Sequence, residues 1–133
     1  MKEYSLILSE LVSSNTKIKV FELQKNEVSL FGSFFEKVKS NSQRLSSTTS
    51  ALKYIEQSAN LFHLPNTRHR DLKGLDVPVK VYEAKKDDIR IYCFQDTKGR
   101  VIVLGGYKGK QNKDINKVVN IIKEYLKEYS YDK

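Results

Sequence analysis

The sequence predicts an α+β domain in which a layer of helices lies on a mostly antiparallel sheet. Apolar residues recur at three- and four-residue spacing in 27–39, 49–62 and 115–129, which is helical periodicity. Between residues 80 and 104 lie three β-rich segments separated only by short turns, which is the pattern of a meander. The order of these pieces (strand, helix, helix, three strands, helix) belongs to the α+β class. At 133 residues and 39% hydrophobic content, the chain has the size and apolar content of a single domain spanning 1–133 with a real core.

Residues 4–12 cluster apolar groups and fit a short helix or a short strand, and residues 1–16 as a whole read either as an N-terminal extension or as part of the fold. Lys17 to Leu23 alternates charged and apolar side chains at period two, so it is predicted as a half-buried strand. In 27–39, Val28, Phe31, Phe35 and Val38 form one helical stripe, and the polar stretch Ser40–Arg44 breaks it. Ser46 to Thr49 offer N-caps for a second helix whose stripe is Leu52, Ile55, Ala59 and Phe62, giving a helical hairpin. Leu64-Pro65-Asn66-Thr67 ends it, with His63 read as a capping or core-edge residue. Lys80–Ala84, Ile89–Gln95 and Arg100–Leu104 are the three strands, turned by Lys85–Asp88 and by Asp96-Thr97-Lys98-Gly99. From Ile115, the residues Val118, Val119, Ile122, Tyr125, Leu126 and Tyr129 line one face of a final amphipathic helix.

Charge is unevenly distributed. Residues 64–113 hold twelve Lys/Arg against six Asp/Glu, so six of the eight net positive charges fall in fifty residues. Local basic excess raises affinity for polyanions, nucleic acid foremost. The cations sit on or beside strands (Lys80, Lys85, Arg90) and in the glycine-flexed loop that follows (Lys108, Lys110, Lys113), a pattern suited to a phosphate site. No apolar run approaches the roughly twenty residues of a membrane span. Cys93 is alone, so it reads as a small core residue of a reduced, cytoplasmic protein. One Cys and two separated His give no metal-ligand spacing, no Walker pattern accompanies Gly105-Gly106, and no cofactor is expected. Plainer readings apply to several residues: Lys98 and Arg100 as solvent-facing strand residues, Glu83 as an ion-pair partner, and the phenylalanines as core.

Taken in order, these segments resemble a known family. Leu72-Lys73-Gly74, Tyr82-Glu83-Ala84-Lys85, Ile89-Arg90-Ile91-Tyr92, Val101-Ile102-Val103-Leu104 and Gly106-Tyr107 to Lys113 are similar to the RelE/HigB-type toxins of bacterial type II toxin–antitoxin systems, in the HigB-like, phage-derived branch. That branch shows a leucine-x-glycine step, a Trp-Glu-Leu-Arg strand, an Arg-Ile-x-Tyr strand, a Val/Leu-rich strand and a loop of type Gly-Phe-x-Lys-Lys-Thr-Gln-Lys. The resemblance covers about residues 17–128. It implies a RelE-like two-layer fold and a ribosome-dependent mRNA endonuclease, in which a 2′-hydroxyl attacks the adjacent phosphate while cations stabilise the developing charge. It further implies a cognate antitoxin partner of helix-turn-helix type, mRNA on the ribosome as substrate, and no membrane.

Carried onto this chain, Arg90 becomes the leading phosphate ligand, because arginine stays charged and can grip through two hydrogen bonds. Lys85 takes the position of the family's strand arginine, and Lys110 matches a loop lysine. Lys73, Lys80, Lys108 and Lys113 would guide the RNA backbone, and Tyr107 would stack on a base or simply pack. His69 is the nearby candidate for a proton carrier, its plainer reading being an exposed loop histidine; the cations around it favour its neutral form. Tyr129 and Tyr131 lie where the family can use a late tyrosine. The chain departs from the pattern at Gly109, Lys85 and Ala84, which replace a loop lysine, an arginine and a leucine. The alternative from the same resemblance is a non-catalytic module that targets gyrase or binds RNA.

Overall fold

The computed structural model describes residues 2–130. Its elements are β1 (Tyr4–Leu8), β2 (Val20–Lys25), β3 (Val28–Ser29), α1 (Leu30–Val38), α2 (Ser42–Ala59), β4 (His69–Leu72), β5 (Val81–Lys86), β6 (Ile89–Gln95), β7 (Arg100–Tyr107) and α3 (Gln111–Ser130). The strands form one mixed sheet in the order β1-β2-β7-β6-β5-β4, with β3 added beside β2. Every pairing is antiparallel except that of β2 with β7, which run parallel from Val20↔Arg100 to Glu22↔Ile102. The α+β class is therefore observed, with three helices on a mixed open sheet.

The helices occupy both faces of that sheet. Along β6, Ile89, Ile91 and Cys93 pack with Phe31, Phe34, Ala51, Leu52 and Ile55 of α1 and α2. Their alternates Tyr92 and Phe94 pack with Val118, Ile122 and Tyr125 of α3. A strand buried on both sides loses the apolar–polar alternation of a half-solvated one, which is why Ile89–Phe94 reads as a nearly continuous apolar run. The expected two layers are accordingly three, with the sheet in the middle. Opposite the Tyr92–Cys93 step of β6 the register shifts, so that Leu104 faces Tyr92 and Ile102 faces Cys93 with Val103 as the extra residue.

Residues 4–8, left open between helix and strand, are β1, held against β2 from Tyr4↔Lys25 to Leu8↔Phe21. Helix α1 starts at Leu30, where the Ser29 hydroxyl accepts from the Gly32 N–H. Val28 is thus left 58% exposed in β3, and the buried stripe is Phe31, Phe34 and Val38, with Phe35 at its margin. Helix α2 starts earlier than Ser46–Thr49 suggest, because the Asn41 side chain caps it by accepting from the Gln43 and Arg44 N–H groups. It stops at Ala59, which leaves Phe62 64% exposed instead of in the stripe and His63 exposed in the loop. Strand β4 was expected to be loop; three of its four residues are polar or charged, and it exists through its ladder with β5. Arg100 is buried, donating to Gln95 and to the Ser58 hydroxyl with its guanidinium 4.2 Å from the Tyr82 ring, not solvent-facing as expected. Cys93 is a buried core thiol, pushed up to about 12 by desolvation. No helix among the described residues is long and apolar enough to cross a membrane.

Candidate nucleic-acid interface

One end of the sheet gathers most of the basic residues singled out above. Lys85 and Arg90 are cross-strand partners in the β5–β6 hairpin, whose turn is Asp87-Asp88 with Asp87 at φ 53°. Directly opposed residues of a hairpin share a face, so both side chains start from the same side of the sheet. The chain before β4 is bonded to this hairpin, since the Lys85 N–H donates to the Arg68 carbonyl at 2.8 Å. These contacts, with α2 alongside, enclose a cleft of about 380 Å³ lined by Tyr54, Thr67, Arg68, Lys85, Lys86, Asp87 and Arg90. Four cations face one carboxylate there, and the Asp87 carboxylate already accepts from the Ser47 hydroxyl at 2.5 Å. The Arg68 guanidinium lies 5.5 Å from the centre of the Tyr54 ring, so an aromatic surface and a planar cation share one wall.

Arg90 does less at the surface than its chemistry suggests. It is buried, and its Nη1 donates to the Asp87 and Ile89 carbonyls at 2.8 Å each, tying the turn to its own strand. Its Nε is buried without a partner, while the side chain still lines the cleft. Lys85, Lys86 and Arg68, less buried, are the freer cations of the set.

The loop after β7 reaches the same end. The Lys108 N–H donates to the Asp88 carbonyl at 2.7 Å, which pins the loop to the β5–β6 turn. Gly109 follows at φ +95°, a conformation that favours glycine, and Lys108, Lys110 and Lys113 are exposed around the start of α3. Gly109–Lys113 line a second hollow of about 410 Å³. Tyr107 points to the other face, where its ring meets Phe34 at 5.5 Å and the Arg44 guanidinium at 4.4 Å. Of its two expected roles, packing is the one observed.

Beneath the first turn of α3 lies a polar group that the sequence did not disclose as one unit. Glu83 is fully buried and accepts from Arg70 Nε at 2.8 Å and Gln111 Nε2 at 2.9 Å, so β4, β5 and α3 meet on one carboxylate. Tyr92 is Glu83's cross-strand partner, and burial with the nearby Glu83 and Asp114 charges raises its phenol well above the ordinary value. Asp114 sits over Gly106, and burial raises its carboxyl while Lys117, Lys110 and Lys113 pull the other way.

The remaining candidates lie elsewhere. His69 is buried in β4, not exposed in a loop, and stacks on Tyr82 at 5.2 Å on the α2 side of the sheet. Burial, then the Arg100 charge, pushes it down to about 4, against an opposing effect of Asp71. Burial and Arg100, not the flanking Arg68 and Arg70 that the sequence suggested, favour the neutral ring, and it does not line the cleft. Lys73 pairs with Asp71 at 3.0 Å, and Lys80 is exposed just before β5. At roughly 3.3 Å per residue, Lys80 starts about 16 Å along the strand from Lys85. Tyr129 donates to the Tyr4 carbonyl, and Tyr131 lies outside the described residues.

Among the described residues no group of three or more His, Cys, Asp or Glu side chains is arranged to hold a metal ion. Comparison with protein-family models, with curated proteins and with solved structures finds no match for this chain.

Proposed function

We propose that this protein binds single-stranded RNA at the β5–β6 end of the sheet and acts as a RelE/HigB-type mRNA endonuclease. The observation that carries the reading is the cleft in which Arg68, Lys85, Lys86 and Arg90 meet beside Tyr54. A cationic hollow with an aromatic wall suits a phosphodiester and its base: the cations take the phosphate and the ring offers a stacking surface. Phosphoryl transfer depends on positioning and charge stabilisation more than on a special nucleophile. A 2′-hydroxyl held against the adjacent phosphate in this cleft gives its proton to water, bonds to phosphorus and expels the 5′-oxygen, which takes a proton from water, leaving a 2′,3′-cyclic phosphate and a 5′-hydroxyl end. In this reading Lys85 and Arg68 hold the attacked phosphate. Arg90 keeps the hairpin in shape and adds its charge from below, while Lys108, Lys110 and Lys113 steer the flanking backbone. The β5-β6-β7 meander followed by α3 keeps part of the order that the resemblance implies, while β1, β3 and β4 are additions to it. Translated mRNA as substrate, the cytoplasm as compartment and a small antitoxin as partner belong to the same proposal.

A specific observation favours a second reading, a non-catalytic RNA-binding module. Both Nη1 hydrogens of Arg90 are spent on backbone carbonyls, and the cleft's lining includes no histidine and only Asp87 as an acid. The test is inducible bacterial expression of the wild type and of an Arg68→Ala/Lys85→Ala variant, with RNA 5′ ends mapped across translated messages. Growth arrest with new ends inside reading frames, absent in the variant, is the expected result. RNA binding by purified wild type without new ends would select the binding module. Arrest with DNA damage and intact RNA would select the gyrase-targeting alternative.

A further inference from the structure

The β1 edge of the sheet carries a groove with more carboxylates than cations. Strand β1 is the terminal strand, and the Asn26 N–H to Glu3 carbonyl bond (2.7 Å) and the Ser9 N–H to Val20 carbonyl bond (2.9 Å) show that its odd-numbered residues face β2. In an antiparallel ladder the even-numbered residues then turn their N–H and C=O groups outward. The backbone of Tyr4 follows this phase and is covered: its N–H donates to Glu128 and its carbonyl accepts from Tyr129, both on α3. Leu6 and Leu8 are next in the same phase, on an edge that no other strand among the described residues covers.

Beside that edge runs a groove of about 340 Å³ between β1, β2 and α1, with Ile7, Leu8, Leu11 and Phe35 as its apolar surface. Ile7 is 48% and Leu8 40% exposed, unusual for large apolar residues on a sheet edge. Glu10, Glu22 and Glu36 line the same groove; Lys39, its one cation, is paired with Glu36 at 3.0 Å. Both Glu22 oxygens accept from serine hydroxyls, Ser9 and Ser29, which fixes that carboxylate in the groove wall. On the other face, Glu124 and Glu128 are held by Tyr4. Lys2, Lys25 and Lys98 lie over the Tyr129 and Tyr4 rings on that face, so the carboxylate excess belongs to the groove face, where it is unexpected in a chain of net charge +8.

We propose that the β1 edge is a docking site for an extended, basic segment of a partner protein, which adds a strand beside β1 with alternate side chains in the groove. Outward backbone groups of Leu6 and Leu8 supply the ladder, Ile7 and Phe35 receive the apolar side chains, and Glu10 and Glu36 select lysine or arginine between them. The site is independent of the RNA reading, because its lining shares no residue with the cationic cleft and has the opposite charge.

The test uses the purified full chain and a fluorescently labelled hexapeptide of alternating lysine and valine, acetylated and amidated at its ends. Binding is followed by anisotropy, with chemical-shift mapping of the site. Saturable binding that perturbs residues 4–11 and 22–39 is expected. It should weaken at least tenfold when alternate peptide nitrogens are methylated, and again in Glu10→Lys/Glu36→Lys. Leu6→Pro removes an outward N–H without touching the β1–β2 bonds and should weaken binding similarly; the double charge variant covers the case in which the proline disturbs folding. Equal binding of the methylated peptide, or of a glutamate–valine peptide, would overturn the proposal. So would a concentration-dependent dimer of the chain itself that Leu6→Pro dissolves, since the edge would then serve a second copy.

Discussion

Asp114 occupies the space that any side chain at Gly106 would need: a Cβ built on Gly106 would lie 2.1 Å from Asp114 Oδ2. Strand β7 and the first turn of α3 therefore touch through a backbone and a carboxylate, and the loop between them, with Lys108 and Lys110, is positioned by that contact. Gly106→Ala should move the Asp114 side chain and loosen the turn, at about 1–2 kcal/mol, the lower range for overpacking since a side-chain tip can yield. Urea denaturation should show the loss, and Gly106→Ala/Asp114→Ala should recover most of it. Additive losses in the double variant would mean that the two residues do not interact.

The Arg70–Glu83–Gln111 group makes a second prediction. Glu83 is fully buried, whereas Arg70 is partly open to solvent. Arg70→Met should leave a buried carboxylate with one neutral donor and cost about 3 kcal/mol, in line with removing one partner of a buried pair. Arg70→Met/Glu83→Gln should restore most of that stability, because the uncompensated charge is gone. If the double variant is no more stable than Arg70→Met in denaturant melts, the carboxylate is not what makes the single change costly.

What could be read from the sequence followed local pattern, and what could not depended on contacts between distant segments. Strand β6 was predicted to its ends because Ile89–Gln95 is dense in β-branched and aromatic residues and is closed by turn residues on both sides. Strand β4 was missed because His69–Leu72 has no alternation of its own; only β5 makes it a strand. The start of α2 was set too late because several Ser and Thr side chains compete as caps, and Asn41 is chosen by where α1 ends. Even the three-layer arrangement was present as a hint, in the apolar runs Ile91–Phe94 of β6 and Val101–Leu104 of β7. At the site, Lys85 and Arg90 were legible from strand order. Tyr54, Arg68 and Lys86 joined them only through folding, since α2 and the chain before β4 close the cleft from outside the meander. The burial of His69 was invisible for the same reason as β4.

If the cleft holds phosphates, salt dependence should report it. Each phosphate contact to a single strand contributes about 0.7 to the slope of log affinity against log salt. Arg68→Ala and Lys85→Ala should each reduce the slope for a uridine dodecamer by about that much and weaken binding at every sequence tested. Lys73→Ala should leave the slope unchanged, because Lys73 is paired with Asp71 and lies toward the other end of β5. A slope that falls equally in all three variants would indicate a diffuse field with no defined site.

His69 predicts an acid limit to stability. The unfolded chain protonates this histidine near its ordinary value of 6.5, the folded one only near 4, because burial and Arg100 disfavour the charged ring. Between those values the unfolded state binds the extra proton. The stability associated with the neutral ring is therefore complete above about pH 6.5 and is lost as pH falls toward 4, a loss of about 3 kcal/mol. His69→Phe keeps an aromatic ring against Tyr82 but cannot titrate, so its stability should fall less across this window. Carboxylates that titrate in both proteins cancel in the difference between them. Urea melts at pH 7 and pH 4.5 measure that difference directly, and a gap that does not change in favour of the phenylalanine variant at pH 4.5 would place the His69 titration outside the folding equilibrium.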